Sequence, residues 1–175
     1  MGGGQLSAVM ARLYLDVDGV LNPYVAPGEV PATWPDFRED FLGRRLVVWS
    51  PAMLTAIGQL PVELVWVTTW ESAAEQDFGP ELGSRRSRRV LSLAATGLGI
   101  FGPKPAVIAE DLQANPAPFV WVDDEVITPA AIDQLAAFGQ PMLTISPNRR
   151  IGIEPNHIRQ VEAFLRSLAQ TEQGP

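Results

Sequence analysis

The stretch LYLDVDGVLN, residues 13–22, decides how the rest of the chain is interpreted. Its apolar run ends abruptly on Asp16 and Asp18, with Gly19 directly after them. An Asp–Gly pair is common in surface turns. Two carboxylates placed this close also repel each other, and a bound cation offsets that repulsion. The stretch therefore predicts a buried strand that ends either in a solvated turn or at a cation site.

Further apolar runs predict strands over 11–17, 62–68, 118–123 and 141–146. Each run is apolar on both faces, which is typical of a parallel sheet covered by helices on both sides. Helices are predicted over 51–59, 85–96, 105–114, 129–138 and 155–169. Ser50 and Thr128 are the expected N-caps, each followed by a proline in the first turn. The alternation predicts an α/β fold, a doubly wound Rossmann-like parallel sheet with helices on both faces.

A chain of 175 residues favours one domain with a sizeable core. We expect a flexible tail over 1–10, a single domain over 11–170 and a second tail over 171–175. The segment at about 20–48 begins as a proline-rich, aperiodic stretch and predicts a flap over one edge of the sheet. The first residues lack the pattern of a signal peptide, and no apolar stretch reaches membrane-spanning length. We therefore expect a cytoplasmic protein without a membrane partner.

Composition excludes several kinds of chemistry. The chain has no cysteine, which excludes disulfides, thiol catalysis and zinc–thiolate sites. Its single histidine, His157, argues against a His-rich metal site or a Ser-His-Asp triad. The net charge of −7 does not suit nucleic acid overall, although a local basic patch stays open. The basic residues are twelve arginines and one lysine, Lys104. Either chance left one lysine, or Lys104 marks a site that requires a compact point charge.

Polar side chains gather where the predicted strands end, which is the edge where open α/β sheets bind ligands. They are Asp16, Asp18, Thr68, Thr69, Asp123 and Asp124, with Lys104 leading into the helix before the third strand. Each alone is explained by a turn or a helix cap. Together they suit phosphoryl transfer, in which a carboxylate attacks phosphorus, Mg²⁺ takes oxygen ligands, and a lysine and a hydroxyl hold the phosphoryl oxygens.

The chain resembles the haloacid dehalogenase (HAD) superfamily of phosphohydrolases in the order of its motifs. These are DVDGVLN, the strand-terminal threonine, the lysine and VDDE at 122–125. The resemblance spans residue 13 to about 125 and extends to the last helix. It implies that Asp16 is the nucleophile and Asp18 the general acid/base. It also implies a Mg²⁺ cofactor bound by Asp16, Asp124 and the backbone carbonyl of Asp18, with Asp123 acting less directly. Thr68, with Thr69 beside it, and Lys104 resemble the residues that bind the substrate phosphate.

The spacing of these motifs leaves no room for the cap domains that give many HAD proteins their specificity. Between Asp18 and Thr68 lie 49 residues, and between Thr68 and Lys104 lie 35. The resemblance thus implies a small protein with no large cap and an open cleft beneath the flap. We expect a phosphatase whose substrate is a phosphorylated small molecule or a nucleic-acid end.

Two groups of arginines bear on the substrate. The run RRSRR at 85–89 is either a solvated helix start or a surface that tracks a phosphodiester backbone. It comprises Arg85, Arg86, Arg88 and Arg89. Arg149 and Arg150 lie near the predicted edge and are either solvated or in contact with substrate. Trp70, directly after the threonines, is the tryptophan placed at that edge.

Two other classes compete with a hydrolase. A receiver-type signalling domain also uses acids, Thr and Lys around Mg²⁺, but its threonine and lysine follow the acceptor aspartate. Here they precede the final acid pair, so the order favours a hydrolase. A catalytically weak phosphate-binding module that keeps the fold remains the alternative.

Overall fold

The computed structural model describes residues 10–83, 88–94 and 104–172. The strands are β1 Arg12–Leu15, β2 Arg38–Leu42, β3 Arg45–Trp49, β4 Glu63–Trp66, β5 Arg88–Val90, β6 Phe119–Val122 and β7 Met142–Ile145. The helices are α1 Pro51–Gln59, α2 Ser72–Phe78, α3 Lys104–Ala114, α4 Pro129–Ala136 and α5 Pro155–Glu172, with a 3₁₀ turn at Pro80–Leu82.

Within these residues, five parallel strands form one sheet in the order β5-β4-β1-β6-β7. The chain moves outward from β1 to β4 and β5, and then returns to the other side of β1 with β6 and β7. This order confirms the predicted doubly wound α/β fold. A reversal of strand order opens a crevice at the carboxyl ends of the strands, so the fold points to the end of β1 as the ligand site.

The sheet separates two hydrophobic cores. Alternate residues of β1 enter opposite cores: Leu13 and Leu15 lie on one face, and Tyr14 lies on the other. Helices α1, α2 and α5 contribute buried side chains to the first core, and α3 and α4 contribute to the second. Because both faces are covered, the strands are apolar on both sides, as the sequence predicted.

The predicted helix starts are confirmed at both caps. Ser50 Oγ accepts a hydrogen bond from Met53 N at 3.1 Å, and Thr128 Oγ1 accepts one from Ala131 N at 3.2 Å. Helix α5 runs through Glu172, two residues into the segment expected to be a tail. No helix within 10–83, 88–94 or 104–172 is long and apolar enough to span a membrane.

The helix predicted over 85–96 is wrong where the structure describes it. Residues 88–90 form β5, an edge strand that pairs in parallel with β4. Positions 84–87 and 95–103 lie outside the described residues, so Arg85, Arg86 and the rest of the predicted helix are not placed. Arg88 bonds to Glu75, and Arg89 bonds to Glu63 and Asp111. These contacts with other elements override the local helical pattern.

The flap contains an antiparallel hairpin, β2–β3, which the sequence analysis did not predict. Four of the five residues of β2 are exposed, so its sequence REDFL carries no alternating apolar pattern. The turn passes through Gly43, whose φ is +60° and whose missing side chain leaves room for the Asp77 carboxylate. Leu42, Val47 and Trp49 anchor the hairpin to the first core.

Candidate active site

Asp16 is the first residue beyond β1. Its backbone N donates to Val122 O at 3.1 Å, which continues the pairing of β1 with β6 past the end of the strand. Its Oδ1 accepts a hydrogen bond from Val17 N at 2.8 Å, and the residue is 6% exposed. The carboxylate is therefore held at the edge of the sheet with one oxygen already oriented.

Lys104 lies between two of the acids predicted to share its site. Its Nζ is 2.5 Å from Asp16 Oδ2 and 2.6 Å from Asp123 Oδ2. Asp123 is fully buried, and its Oδ1 accepts from the backbone N of Glu125 at 3.0 Å and of Val126 at 2.9 Å. The single lysine of the chain therefore opens α3 with its ammonium between two carboxylates.

Burial and charge both act on this group. Burial raises the pKa of Asp16 to about 6, the charge of Asp123 adds to the rise, and Lys104 opposes it. Burial alone would lower the pKa of Lys104, but the charges of Asp16 and Asp123 raise it above its ordinary value. The lysine stays protonated, and one ammonium does not fully offset the crowded acids.

A third acid completes an oxygen-only group. Carboxylate oxygens of Asp16, Asp123 and Asp124 lie within 4.8 Å of one another. Gly19 has a φ of +72°, and a Cβ at that position would clash with the Asp124 carboxylate. Burial and the charge of Asp123 raise the pKa of Asp124, whereas Arg149 opposes the rise. Hard carboxylate oxygens in excess over cations fit Mg²⁺. Asp123, for which the resemblance implied an indirect role, contributes an oxygen to this group.

The carboxylate of Asp18 lies in a different environment. Its Oδ1 accepts from Asn22 Nδ2 at 2.9 Å, and its Oδ2 accepts from Trp70 Nε1 at 2.8 Å. It is not a member of the three-carboxylate group found among the residues that the structure describes. The carboxylate of Asp18 is therefore held by two neutral donors, apart from the three-carboxylate group.

The two predicted threonines differ in exposure. Thr68 is fully buried, and its Oγ1 accepts from Trp70 N at 3.4 Å. The preceding bond from Val67 N to Leu15 O, at 3.0 Å, keeps this segment beside the end of β1. Thr69 is exposed at the surface. The structure therefore brings Thr68 to the predicted edge within the fold, and Thr69 to its solvent side.

Three residues next to the acids had no assigned role. Asn22 and Trp70 hold Asp18, and Arg149 lies with its Nε 3.1 Å from Asp124 Oδ2 and its guanidinium also near Glu125. Asn22 ends the quoted DVDGVLN motif, and Trp70 follows the threonines, so position was the available signal for both. Arg149 was predicted near this edge, with solvent or substrate as its partner. Its side chain is 49% exposed and contacts both acids at the surface, and a contact with substrate stays a prediction.

The fold and the residues at the carboxyl edge of the sheet define the class of protein, which is a HAD-type fold. The sheet is parallel, D-x-D-G follows its first strand, and a lysine lies in the sequence between that strand and the last acid pair. The family model for the HAD domain in Swiss Army Knife RNA repair proteins matches residues 12–158. The chain belongs to this family, a HAD-type phosphoesterase family that generally uses a divalent metal. No curated protein and no solved structure matches it.

Proposed function

We propose that the protein is a Mg²⁺-dependent phosphatase that hydrolyses a phosphomonoester through an aspartyl phosphate on Asp16. The observation that carries the proposal is the ammonium of Lys104, 2.5 Å from Asp16 and 2.6 Å from Asp123, at a group in which carboxylate oxygens of Asp16, Asp123 and Asp124 lie within 4.8 Å of one another. The three carboxylates outnumber the two cations that contact them, Lys104 and Arg149, and a purely structural site has no need of such an excess because burial penalises an unpaired charge.

The residues can carry a two-step reaction. An oxygen of Asp16 attacks phosphorus while the bond from phosphorus to the ester oxygen breaks, and Asp18 gives its proton to the departing oxygen. Asp18 then takes a proton from water, whose oxygen attacks phosphorus and breaks the bond to Asp16. Phosphate leaves, and both carboxylates return to their first state.

Lys104 and the hydroxyl of Thr68 bind the phosphoryl oxygens in this scheme, with Thr69 at the outer side. Mg²⁺ would be held by Asp16, Asp124 and the backbone carbonyl of Asp18, with Asp123 beside them, and when bound it neutralises the negative charge of the phosphoryl group. Lys104 also favours the charged form of Asp16, since its ammonium opposes the rise in the pKa of Asp16 that burial causes.

For the substrate we propose a phosphorylated RNA end rather than a small metabolite. The family description refers to RNA repair proteins. Between Asp18 and Thr68 the structure has a hairpin, one nine-residue helix and strand β4 rather than a cap domain, which suits a substrate larger than the cleft. Such ends occur in the cytoplasm, where we propose the protein acts.

The test is phosphate release from RNA oligonucleotides phosphorylated at the 5′ or 3′ end, a sugar phosphate, a phosphopeptide and an aryl phosphate. We expect turnover with Mg²⁺, none in chelator, and the highest kcat/KM on one RNA end. Full activity in chelator would overturn the metal-dependent mechanism. A higher kcat/KM on the sugar phosphate would overturn the substrate and leave the mechanism in place.

A further inference from the structure

Both oxygens of the Asp18 carboxylate are occupied by donors that carry no charge. Asn22 Nδ2 lies 2.9 Å from one oxygen and Trp70 Nε1 lies 2.8 Å from the other. The tryptophan is 52 residues away in the sequence, so the contact is made by the fold and not by the local turn. Each of the two donors is in turn held by the β2–β3 hairpin.

The first connection runs through the indole of Trp70. The Arg45 guanidinium, on the first residue of β3, lies 4.3 Å from the centroid of the Trp70 ring. Arg45 is itself paired with Asp77 at 3.1 Å. Phe78 packs on the indole with a centroid separation of 5.5 Å. The ring therefore lies between α2 and the hairpin, with its N–H donating to Asp18.

The second connection runs through the amide of Asn22. Its Oδ1 accepts a hydrogen bond from the backbone N of Val48, the fourth residue of β3, at 3.0 Å. Because the acceptor oxygen of the amide is bound to the hairpin, its Nδ2 is directed toward Asp18. Two separate residues of β3, Arg45 and Val48, therefore determine the position of the two donors.

From this arrangement we propose that Trp70 is a positioning residue for Asp18, and that the β2–β3 hairpin sets the carboxylate through Trp70 and Asn22. The inference rests on the proposed function, in which Asp18 transfers the proton. A general acid works only within hydrogen-bond reach of the oxygen it protonates. A carboxylate on a turn that lost one of its donors would sample other rotamers and meet that oxygen less often.

A purely structural role for Trp70 predicts a different result. Lost packing lowers the amount of folded enzyme, and the rate then falls by one factor for every substrate. A misplaced general acid slows only those substrates whose leaving oxygen needs a proton. A dinitrophenolate leaves without one, whereas an alkoxide does not. The dependence of rate on leaving group therefore separates the two roles.

The experiment compares wild type with Trp70→Phe, which keeps an aromatic ring against Arg45 and Phe78 but removes the N–H. The measured quantity is kcat/KM with Mg²⁺ for dinitrophenyl phosphate and for an alkyl phosphate, since this ratio reports the step in which the leaving group departs. We expect a loss of about twofold on the aryl ester and about tenfold or more on the alkyl ester, which is part of the about hundredfold or more that a general acid contributes.

Trp34→Phe is the matched control, because it also removes an indole N–H, one that donates to Ile153 O at 2.8 Å and not to Asp18. We expect Trp34→Phe to leave kcat/KM unchanged for both esters. Arg45→Ala covers the case in which Trp70→Phe does not fold, with the exposed neighbour Arg44→Ala as its control. We expect Arg45→Ala to give the same leaving-group pattern with a smaller amplitude, about threefold on the alkyl ester.

Equal losses on both esters in Trp70→Phe and in Arg45→Ala would overturn the inference while leaving the phosphatase in place. An unchanged kcat/KM for the alkyl phosphate in a folded Trp70→Phe variant would overturn the inference as well. A wild-type protein that hydrolyses neither ester with Mg²⁺ would instead refute the proposed function. The two failures are therefore distinguishable in one set of measurements.

Discussion

The two ends of the central sheet each hold a charged cluster, and the two clusters are built differently. The amino-end cluster consists of Arg12, Glu63, Arg89 and Asp111, with the hydroxyl of Tyr14 bonded to Asp111 at 2.7 Å. It contains two guanidiniums and two carboxylates. Arg89 places two of its nitrogens 2.7 and 2.9 Å from the oxygens of Asp111. Charges and hydrogen bonds are balanced within the cluster.

The carboxyl-end cluster consists of Asp16, Asp123, Asp124, Lys104 and Arg149, and carboxylates outnumber cations in it. Its buried cation is a point charge, whereas the amino-end cluster uses forked guanidiniums. A balanced cluster stabilises the fold and leaves nothing to bind. A cluster with surplus acid retains a demand for a cation. The ratio of charges, rather than burial, separates the structural end of this sheet from the end proposed to react.

The largest effect should come from Asp16→Asn. We expect phosphate release to fall at least about a thousandfold, because the attacking oxygen is lost. The melting temperature should stay the same or rise, since the change removes one of the acids that repel each other at the carboxyl end. Thermal unfolding and phosphate release on the same preparation test both parts. Near-normal turnover would show that the nucleophile lies elsewhere.

The corresponding change at the other end is Asp111→Asn, which should lower stability and spare catalysis. Removing one partner of a buried ion pair should cost about 3 kcal/mol of unfolding free energy. The rate per folded molecule should not change. Chemical denaturation at pH 7 and turnover corrected for the folded fraction provide the measurement.

The pH dependence of the stability difference between wild type and Asp111→Asn is a stricter test. Burial alone would raise the pKa of Asp111, but the hydrogen bonds from Arg89 and Tyr14 lower it below its ordinary value. A depressed pKa stabilises the folded state above the unfolded value of about 3.9 and loses that contribution as pH falls through the folded value. The difference in unfolding free energy between wild type and Asp111→Asn should therefore be constant from pH 6 down to about pH 4 and become smaller below it. A gap that is equal at pH 7 and pH 3 would contradict the assignment.

Exchanging lysine and arginine tests the contrast between the ammonium of the carboxyl-end cluster and the guanidiniums of the amino-end cluster. Lys104→Arg should reduce kcat about a hundredfold, because a guanidinium does not fit between two carboxylates that an ammonium meets at 2.5 and 2.6 Å. Arg89→Lys should keep kcat and cost about 2 kcal/mol, since the second bond to Asp111 is lost. If both variants lose activity alike, the contrast between the clusters fails.

The smallest effect is the stabilisation by Mg²⁺ itself. At ten times its dissociation constant, Mg²⁺ should add about 1.4 kcal/mol to the stability of the folded protein. Asp124→Asn should weaken this shift, whereas Asp111→Asn should retain it. Differential scanning fluorimetry with and without chelator measures the shift directly. A Mg²⁺ effect that survives in Asp124→Asn but not in Asp111→Asn would place the ion at the wrong end of the sheet.

Much of the fold could be predicted because its signals are local. Strands buried on both faces are continuously apolar, and Ser50 and Thr128 cap helices that begin with proline. The acids of the site were found for the same reason, since each follows a strand. The hairpin and β5 could not be found this way. REDFL is mostly exposed, and β5 is held by ion pairs from Arg88 and Arg89 to acids at least 13 residues away.

The contacts around Asp18 were beyond prediction for a related reason. Trp70 and Asp18 are 52 positions apart, and Asn22 and Val48 are 26 apart. Each pair meets only after β4 and the hairpin have packed beside β1. Arg149 shows the same limit, because its distance of 25 positions from Asp124 gives no periodic signal.

Lys104 carries the only side-chain primary amine of the chain, and that amine lies at the carboxyl-end cluster. An amine-selective reagent would therefore have a single lysine target in this sequence. The side chain is 11% exposed and its charge is shared with two carboxylates, so acylation should be slow until its surroundings change. Mass spectrometry of one peptide would then follow occupancy of the site without an engineered label.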